Sequence, residues 1–260
     1  LPKKKKVITT PFTFSATAHS ILWADKQPVF VDVGKGEFCI SPETVEPAID
    51  SDTSAILPVH CYGLPCDIAG FSELSRKTGI PIIYDAAHAF GVEVNGKSLV
   101  TEGSASIVST HATKAFNTVE GGIAYFSDEN QLRQFTAMTN FGINGGVTDQ
   151  LGFNGKLSEL HAAVGVLGLK HFSQRVAERS KVWSYYDEFF ADIDIVETTA
   201  IPHGVALNYA YYPVKIVDRN IDLDEVVRKL AAKDIIARKY FSELLTEMPF
   251  FKDSLTVGTL

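Results

Sequence analysis

Lys114 is the residue in this sequence with the most evident chemistry. It lies in Ile107-Val108-Ser109-Thr110-His111-Ala112-Thr113-Lys114-Ala115-Phe116-Asn117-Thr118-Val119-Glu120-Gly121-Gly122. The β-branched pair Ile107 and Val108 predicts a strand that empties into a turn of small hydroxyl residues, and a second apolar run begins at Ile123. A lysine set between two buried strands is partly desolvated. Burial favours the uncharged amine, and that form attacks carbonyl carbon. Ser109 and Thr110, just upstream, offer hydroxyls to a phosphate. The plainer reading is a solvated loop lysine, the usual fate of this residue type; the neighbouring hydroxyls and an upstream carboxylate argue against it.

That carboxylate is Asp85. Ile80-Pro81-Ile82-Ile83-Tyr84 is a short, almost continuous apolar run, the pattern of a strand covered on both faces. Asp85 stands where that strand ends, and in open α/β sheets ligands bind at the carboxyl ends of strands. An N-cap or turn aspartate is the structural alternative. A lysine and an aspartate of this kind suit pyridoxal 5′-phosphate (PLP). The amine holds the aldehyde as a Schiff base, and the carboxylate keeps the ring nitrogen protonated so that the ring acts as an electron sink. His88, three residues on, shares Asp85's side of any helical turn there; a core or surface histidine is the alternative. His111 lies in the lysine loop with no acid at an evident spacing, so a Ser-His-Asp triad is not indicated.

These residues need a rigid frame, and the chain alternates strands and helices in the manner of a largely parallel α/β sheet. Residues 7–10 read as a strand ended by Pro11, with Thr13 capping a helix through Phe14, Ala18, Ile21 and Leu22. Residues 28–33 and 54–59 are further strands. Ser41 caps a helix with Pro42 at its first position, and a helix over 68–78 is closed by Gly79. A helix over 128–139 follows the lysine loop. The Gly/Asn-rich loop at 141–146 is too poor in Lys and Thr for a P-loop. Ser158 caps a long helix to Phe190, whose apolar residues and alanines over 160–169 predict heavy burial between domains or subunits. A tyrosine-rich region (Tyr209, Tyr211, Tyr212) leads to a strand at 214–217, and Asp222 or Asp224 caps a helix to Lys233.

Composition narrows the class. The chain has 260 residues, enough for one large domain and part of a second, with an ordinary 45% hydrophobic and 21% charged residues. A net charge of −7 argues against a nucleic-acid surface. No apolar run approaches the roughly 20 residues of a membrane span. The basic run Lys3 to Lys6 is followed by Val-Ile-Thr-Thr-Pro, not by a signal-peptide core. It reads as a solvated loop rather than a nuclear-import signal. Cys39, Cys61 and Cys66 are odd in number and lack a CxxC pair, which predicts reduced thiols in a cytoplasmic protein, without disulfides or a metal site.

Four ordered motifs carry a resemblance across about 7–251: Pro11-Phe12-Thr13-Phe14-x-Ala16-Thr17, Tyr84-Asp85-Ala86-Ala87-His88-Ala89-Phe90-Gly91, Ser109-x-His111-x-x-Lys114 and Glu120-Gly121-Gly122. They resemble the DegT/DnrJ/EryC1/StrS family of fold-type I, PLP-dependent aminotransferases acting on nucleotide-linked keto sugars. The resemblance implies a PLP-binding large domain over 1–190, with a mainly parallel central sheet and helices on both faces, and a small α/β domain over 191–260. It implies Lys114 as the catalytic, cofactor-holding lysine and Asp85 as the ring nitrogen's partner. His88 then lies near the ring and its phenolic oxygen, Phe14 stacks on the ring, and Ser109 binds the phosphate. The alternative for Phe14 is the first core residue of its helix. Gly152-x-Asn154-x-Lys156 resembles a motif that usually reads Gly-x-Asn-x-Arg, whose asparagine reaches the cofactor phosphate of the neighbouring subunit. Carried to Asn154, it implies a homodimer with shared active sites; a turn residue is the alternative. Lys156 departs from the pattern, a point charge replacing a forked donor.

Family members usually begin well before the 7–10 strand, with a Gly-Thr/Ser-x-Ala turn at a helix start that binds the phosphate. That turn is absent from this sequence and the small domain is short. Both domains are therefore expected to be incomplete, and the 260-residue chain by itself weak in cofactor binding or inactive. The expected function is transfer of an amino group from glutamate to a nucleotide-linked keto sugar, best a dTDP-4-keto-6-deoxyhexose, in deoxyamino-sugar and surface-polysaccharide (O-antigen) biosynthesis. Lys114 excludes the dehydratase branch, in which histidine replaces the lysine. Two other expectations compete: a catalytically impaired member acting as a binding or regulatory protein, and a PLP aminotransferase of a non-sugar substrate. The joint presence of Lys114 and Asp85 argues against the first, since nothing in folding needs both.

Overall fold

Seven strands build the central sheet of the computed structural model, which describes residues 4–34 and 37–258; Lys3 of the basic run lies outside them. The strands are β1 (Lys6–Thr9), β2 (Gln27–Val31), β3 (Thr53–Ile56), β4 (Ile83–Asp85), β5 (Ala105–Ser109), β6 (Gly122–Phe126) and β7 (Leu255–Val257). Their order is β7-β2-β1-β3 followed by β4-β5-β6, and parallel bridges Ile56–Ile82 and Val59–Asp85 join the two runs. Only β6 runs antiparallel to its neighbour. The mainly parallel sheet expected from the sequence is what forms.

Alternation along β1 shows that both faces are covered. Val7 packs with Ile21 of α1 (Ser15–Trp23) on one face. On the other, Ile8 shares a core with Val45 of the short α2 (Pro42–Val45) and with Phe71 and Leu74 of α3 (Ile68–Thr78). Near-continuous apolar strands are the sequence mark of such two-sided burial. Helix α3 starts at Asp67, whose carboxylate accepts from Gly70 N at 2.9 Å, and ends at Gly79 in the left-handed region at φ 69°. Phe71 is wholly buried at the centre of this core. Phe71→Ala is expected to cost about 3–5 kcal/mol of unfolding free energy, read from urea denaturation at unchanged m value. A loss below about 1 kcal/mol would mean that the site collapses without leaving a cavity.

Ser41 caps α2 as expected, in a capping box with Thr44. Thr13 does not cap α1. Phe14 occupies the N-cap position with extended backbone and no side-chain cap bond, and Thr13 turns its hydroxyl inward to the buried Thr17 instead. Asp128, Ser158 and Asp222 cap α4 (Glu129–Met138), α5 (Glu159–Phe190) and α6 (Leu223–Ala231). In the C-terminal segment, Val196–Thr198 and Val214–Ile216 form an antiparallel ribbon, Val205–Ala206 pairs with Glu93–Val94, and β7 returns to the central sheet beside β2.

The heavy burial expected for α5 is not found in this chain. Its buried residues are Gly165 and Trp183, while Leu160 is 81% exposed and Leu167 is 59% exposed. The helix lies against the body along one line: Gly165 against Thr118, Phe172 against Phe90 and Trp183 against Tyr212. Apolar positions run around more of its circumference than that line covers. All three cysteines are free and buried. No helix among the described residues is long and apolar enough to cross a membrane.

Candidate active site

Strands β4 and β5 lie side by side in parallel, with Asp85 opposite Ile107 and Ser109 two residues further on. Their carboxyl ends therefore open on one edge, where ligands of such sheets bind. The chain leaves β5 into the Lys114 turn and returns along β6, with Ser109 paired to Gly122. The turn is tightly tied. Thr118 N donates to Thr110 O at 2.9 Å, Thr110 N donates to Gly121 O at 3.0 Å, and the two threonine hydroxyls lie 2.7 Å apart. Gly121 has φ 150°, and a Cβ there would meet Thr118 Oγ1 at 2.6 Å and Thr110 Oγ1 at 2.7 Å. Only glycine permits that approach. Val119 is held at φ 67°, a strained conformation for a β-branched residue, inside this frame. Arg179 of α5 donates to Ala115 O at 3.4 Å from outside the turn.

Lys114 is half-buried. Desolvation pushes its amine below the usual lysine range, and the negative charge of Asp85 acts in the opposite, weaker sense. The two side chains thus share one field. Asp85 Oδ2 accepts from Thr17 Oγ1 at 2.7 Å and Oδ1 accepts from Ala87 N at 3.0 Å. His88 is 8% exposed. Its Nδ1 accepts from Tyr62 N at 3.0 Å, which leaves the proton of the neutral ring on Nε2. Burial first, and the Lys114 charge second, hold its pKa down at about 3. Tyr62 adopts φ 57° to present that N–H, another strained position at the same edge. Tyr211 packs on the His88 ring at 4.6 Å between centroids and is linked to Tyr240 through their hydroxyls at 3.2 Å.

The structure brings Lys114, Asp85, His88 and Ser109 to one edge. Phe14 is 68% exposed at the start of α1, one turn before Thr17, so it is not a core residue of that helix. Asn154 is not drawn into this group: it is exposed, bridges to Asn140, and accepts from Lys156 Nζ at 2.7 Å. Lys156 in turn stands 4.3 Å above the Phe141 ring. His111 is corrected: it has an acid partner, Glu120, at 2.8 Å. That partner comes after the lysine, across the turn, so the two meet only when the turn closes. Its position leaves the absence of a Ser-His-Asp triad unchanged. Thr17 was missed as a site residue, although it stands in the first of the four motifs.

The model of the DegT/DnrJ/EryC1/StrS aminotransferase family matches residues 1–259. The chain belongs to this family. The dTDP-4-amino-4,6-dideoxy-D-glucose transaminases of Shigella dysenteriae and Escherichia coli are 38% and 36% identical to it, over 98% and 97% of the chain and 69% of each relative. The crystal structure of DesI in the presence of its TDP-sugar product matches with a TM-score of 0.91 at 31% identity, covering 98% of this chain and 66% of that one. The chain thus spans about two thirds of the length of these relatives. DegT/DnrJ/EryC1/StrS enzymes are PLP-dependent aminotransferases of fold-type I, and the sheet and helices here are of that fold. The residues at the strand ends suit the cofactor by their own chemistry. A desolvated amine is suited to an aldehyde, a carboxylate with both oxygens fixed to a ring nitrogen, and a serine hydroxyl at a tight turn to a phosphate.

Proposed function

We propose that this aminotransferase moves an amino group, from glutamate as donor, onto a nucleotide-linked keto sugar, best a dTDP-4-keto-6-deoxyhexose. The observation that carries the reading is the half-buried Lys114 amine, depressed by desolvation, beside Asp85 at the carboxyl ends of β4 and β5. The two dTDP-sugar transaminases at 38% and 36% identity support the substrate class. Deoxyamino-sugar synthesis for a surface polysaccharide such as O-antigen is the process this product would feed.

Bound PLP supplies an aldehyde that bonds amines and a ring that withdraws electrons from the bonded carbon. Lys114 Nζ would hold the aldehyde, and its uncharged form would move a proton between two carbons; burial favours that uncharged form. Asp85 would keep a proton on the ring nitrogen. His88, whose Nε2 carries the proton because Tyr62 N holds Nδ1 as acceptor, would donate to the phenolic oxygen. Ser109 Oγ would bind the phosphate, and Phe14, its own ring open to solvent, would cover the ring face. Asn154 serves the phosphate of a partner subunit in a homodimer. Its separation from the Lys114 edge and the uncovered apolar residues around it, Leu151 at 90% exposure among them, support that reading. Three free, buried thiols suit a cytoplasmic setting.

The test is direct. Full-length protein is incubated with PLP, reduced with borohydride and digested, and the labelled peptide is sequenced; glutamate-dependent amination of dTDP-4-keto-6-deoxyglucose is followed by mass spectrometry. Label on Lys114 with sugar amination is the expected result. Label on Lys114 with amination of amino acids or cyclitols only would replace the substrate. Full activity of a monomer in sedimentation would refute the shared site.

A further inference from the structure

Two threonines at the start of α1 lead to Asp85: Thr17, in the helix, touches it, and Thr13, just before the helix, touches Thr17. Thr17 Oγ1 donates to Asp85 Oδ2 at 2.7 Å, and the Thr13 and Thr17 hydroxyls lie 2.8 Å apart. A hydroxyl has a single proton, and an ionised carboxylate only accepts. Thr17 therefore gives its proton to Asp85, and the bond between the threonines must run from Thr13 to Thr17. Both threonines are buried, so water does not compete for either bond. Ala87 N holds the other carboxylate oxygen at 3.0 Å. With one donor on each oxygen, the carboxylate cannot rotate about its Cβ–Cγ bond without breaking a buried hydrogen bond. It also lies against the first turn of α1, where the helix dipole favours a negative charge.

We propose that Thr17, backed by Thr13, is a positioning residue for the ring nitrogen of the cofactor: this relay sets the facing of the Asp85 carboxylate and, through it, how firmly the ring nitrogen holds its proton. The inference rests on the role given to Asp85 above. Hydrogen bonds in a chain polarise one another, so Thr13 strengthens the donor that touches Asp85. Loss of Thr17 would leave both Asp85 Oδ2 and the Thr13 hydroxyl without their buried partner.

Thr17→Val is nearly isosteric and removes the proton; Thr17→Ser keeps it. Each protein is loaded with PLP carrying 15N in the ring, the ring-nitrogen chemical shift is followed against pH, and PLP affinity is read by titrating the cofactor-free protein. In Thr17→Val the ring nitrogen is expected to lose its proton about one pH unit lower than in the wild type, and PLP is expected to bind about tenfold more weakly. Thr17→Ser should return both to within about twofold, and Thr13→Val should move them the same way by less. Asp85→Asn is the reference, with the ring nitrogen unprotonated across the range. Thr17→Val that titrates like the wild type, while Asp85→Asn shifts, overturns the relay and leaves the role of Asp85 standing, even if the variant melts at a lower temperature. Asp85→Asn that also titrates like the wild type refutes the role of Asp85 itself. Should Thr17→Val fail to fold, Thr13→Val decides: no shift in it overturns the relay.

Discussion

Lys114→Ala is expected to leave a folded protein that forms no reducible bond with PLP and whose turnover falls by at least about 10³-fold. The amine has two tasks in the proposed reaction, holding the aldehyde and moving a proton, and general acid–base work alone is worth about 10²–10⁴. The fold should survive because Lys114 adds little to the core: it is half-buried, and the turn is held by Thr110, Thr118 and Gly121 rather than by its side chain. Lys114→Arg keeps the charge but not a nucleophile, since a guanidinium does not deprotonate, and should be as inactive. The pH dependence has a definite sign. Burial lowers the amine's pKa, so in the wild type the uncharged, reactive form persists to lower pH than in an exposed lysine, and formation of the reducible bond falls off only as pH drops through that lowered value. Circular dichroism checks the fold, and borohydride labelling against pH checks the amine. A reducible bond and turnover that survive in Lys114→Ala would give the role to a different lysine.

What could be read from the sequence was whatever is local. Asp85, Ser109 and Lys114 each lie at or just beyond the end of an apolar run, and the ends of parallel strands come together whenever the sheet forms. His88 is legible for the same reason, three residues after Asp85. Helix caps were readable where a short polar side chain precedes an apolar period, as at Ser41, Ser158 and Asp222. Thr13 failed as a cap because its hydroxyl had a stronger use, the buried bond to Thr17. Contacts distant in sequence were not legible. Thr17 and Asp85 are 68 residues apart and Tyr62 and His88 are 26 apart, and no spacing rule joins them. The Glu120 partner of His111 depends on how the turn closes. What covers the apolar residues of α5 was not legible either, because periodicity reports which side of a helix is apolar, not what packs on that side.

Acid is expected to destabilise the protein well before its carboxylates are titrated, through two histidines that the fold keeps uncharged. His60 is wholly buried: its Nδ1 accepts from Cys66 N at 3.1 Å, its ring stacks on Tyr84 at 4.5 Å, and its Nε2 has no partner among the described residues. Burial brings its pKa down to about 3. His88 lies at about 3 for the same reason, with Tyr62, Tyr211, Tyr240 and the cationic Lys114 around it. An unfolded chain would leave both near the ordinary histidine value of about 6.5. Above that pH the rings are uncharged in both states and their contribution to stability is fully present. Between 6.5 and 3 the unfolded state binds protons that the folded state refuses, so stability falls steadily as pH falls, by an amount on the order of several kcal/mol for the pair. His88→Gln can still accept from Tyr62 N through its side-chain oxygen and does not titrate, and its stability should decline less steeply over this range. Urea midpoints from pH 7.5 to 4 measure the slope, and the ring proton shifts of the native protein should stay unchanged down to about pH 4. A flat stability profile, or a native His60 or His88 that titrates near 6.5, would show that water reaches these rings and that the sheet edge behind Asp85 is open rather than packed.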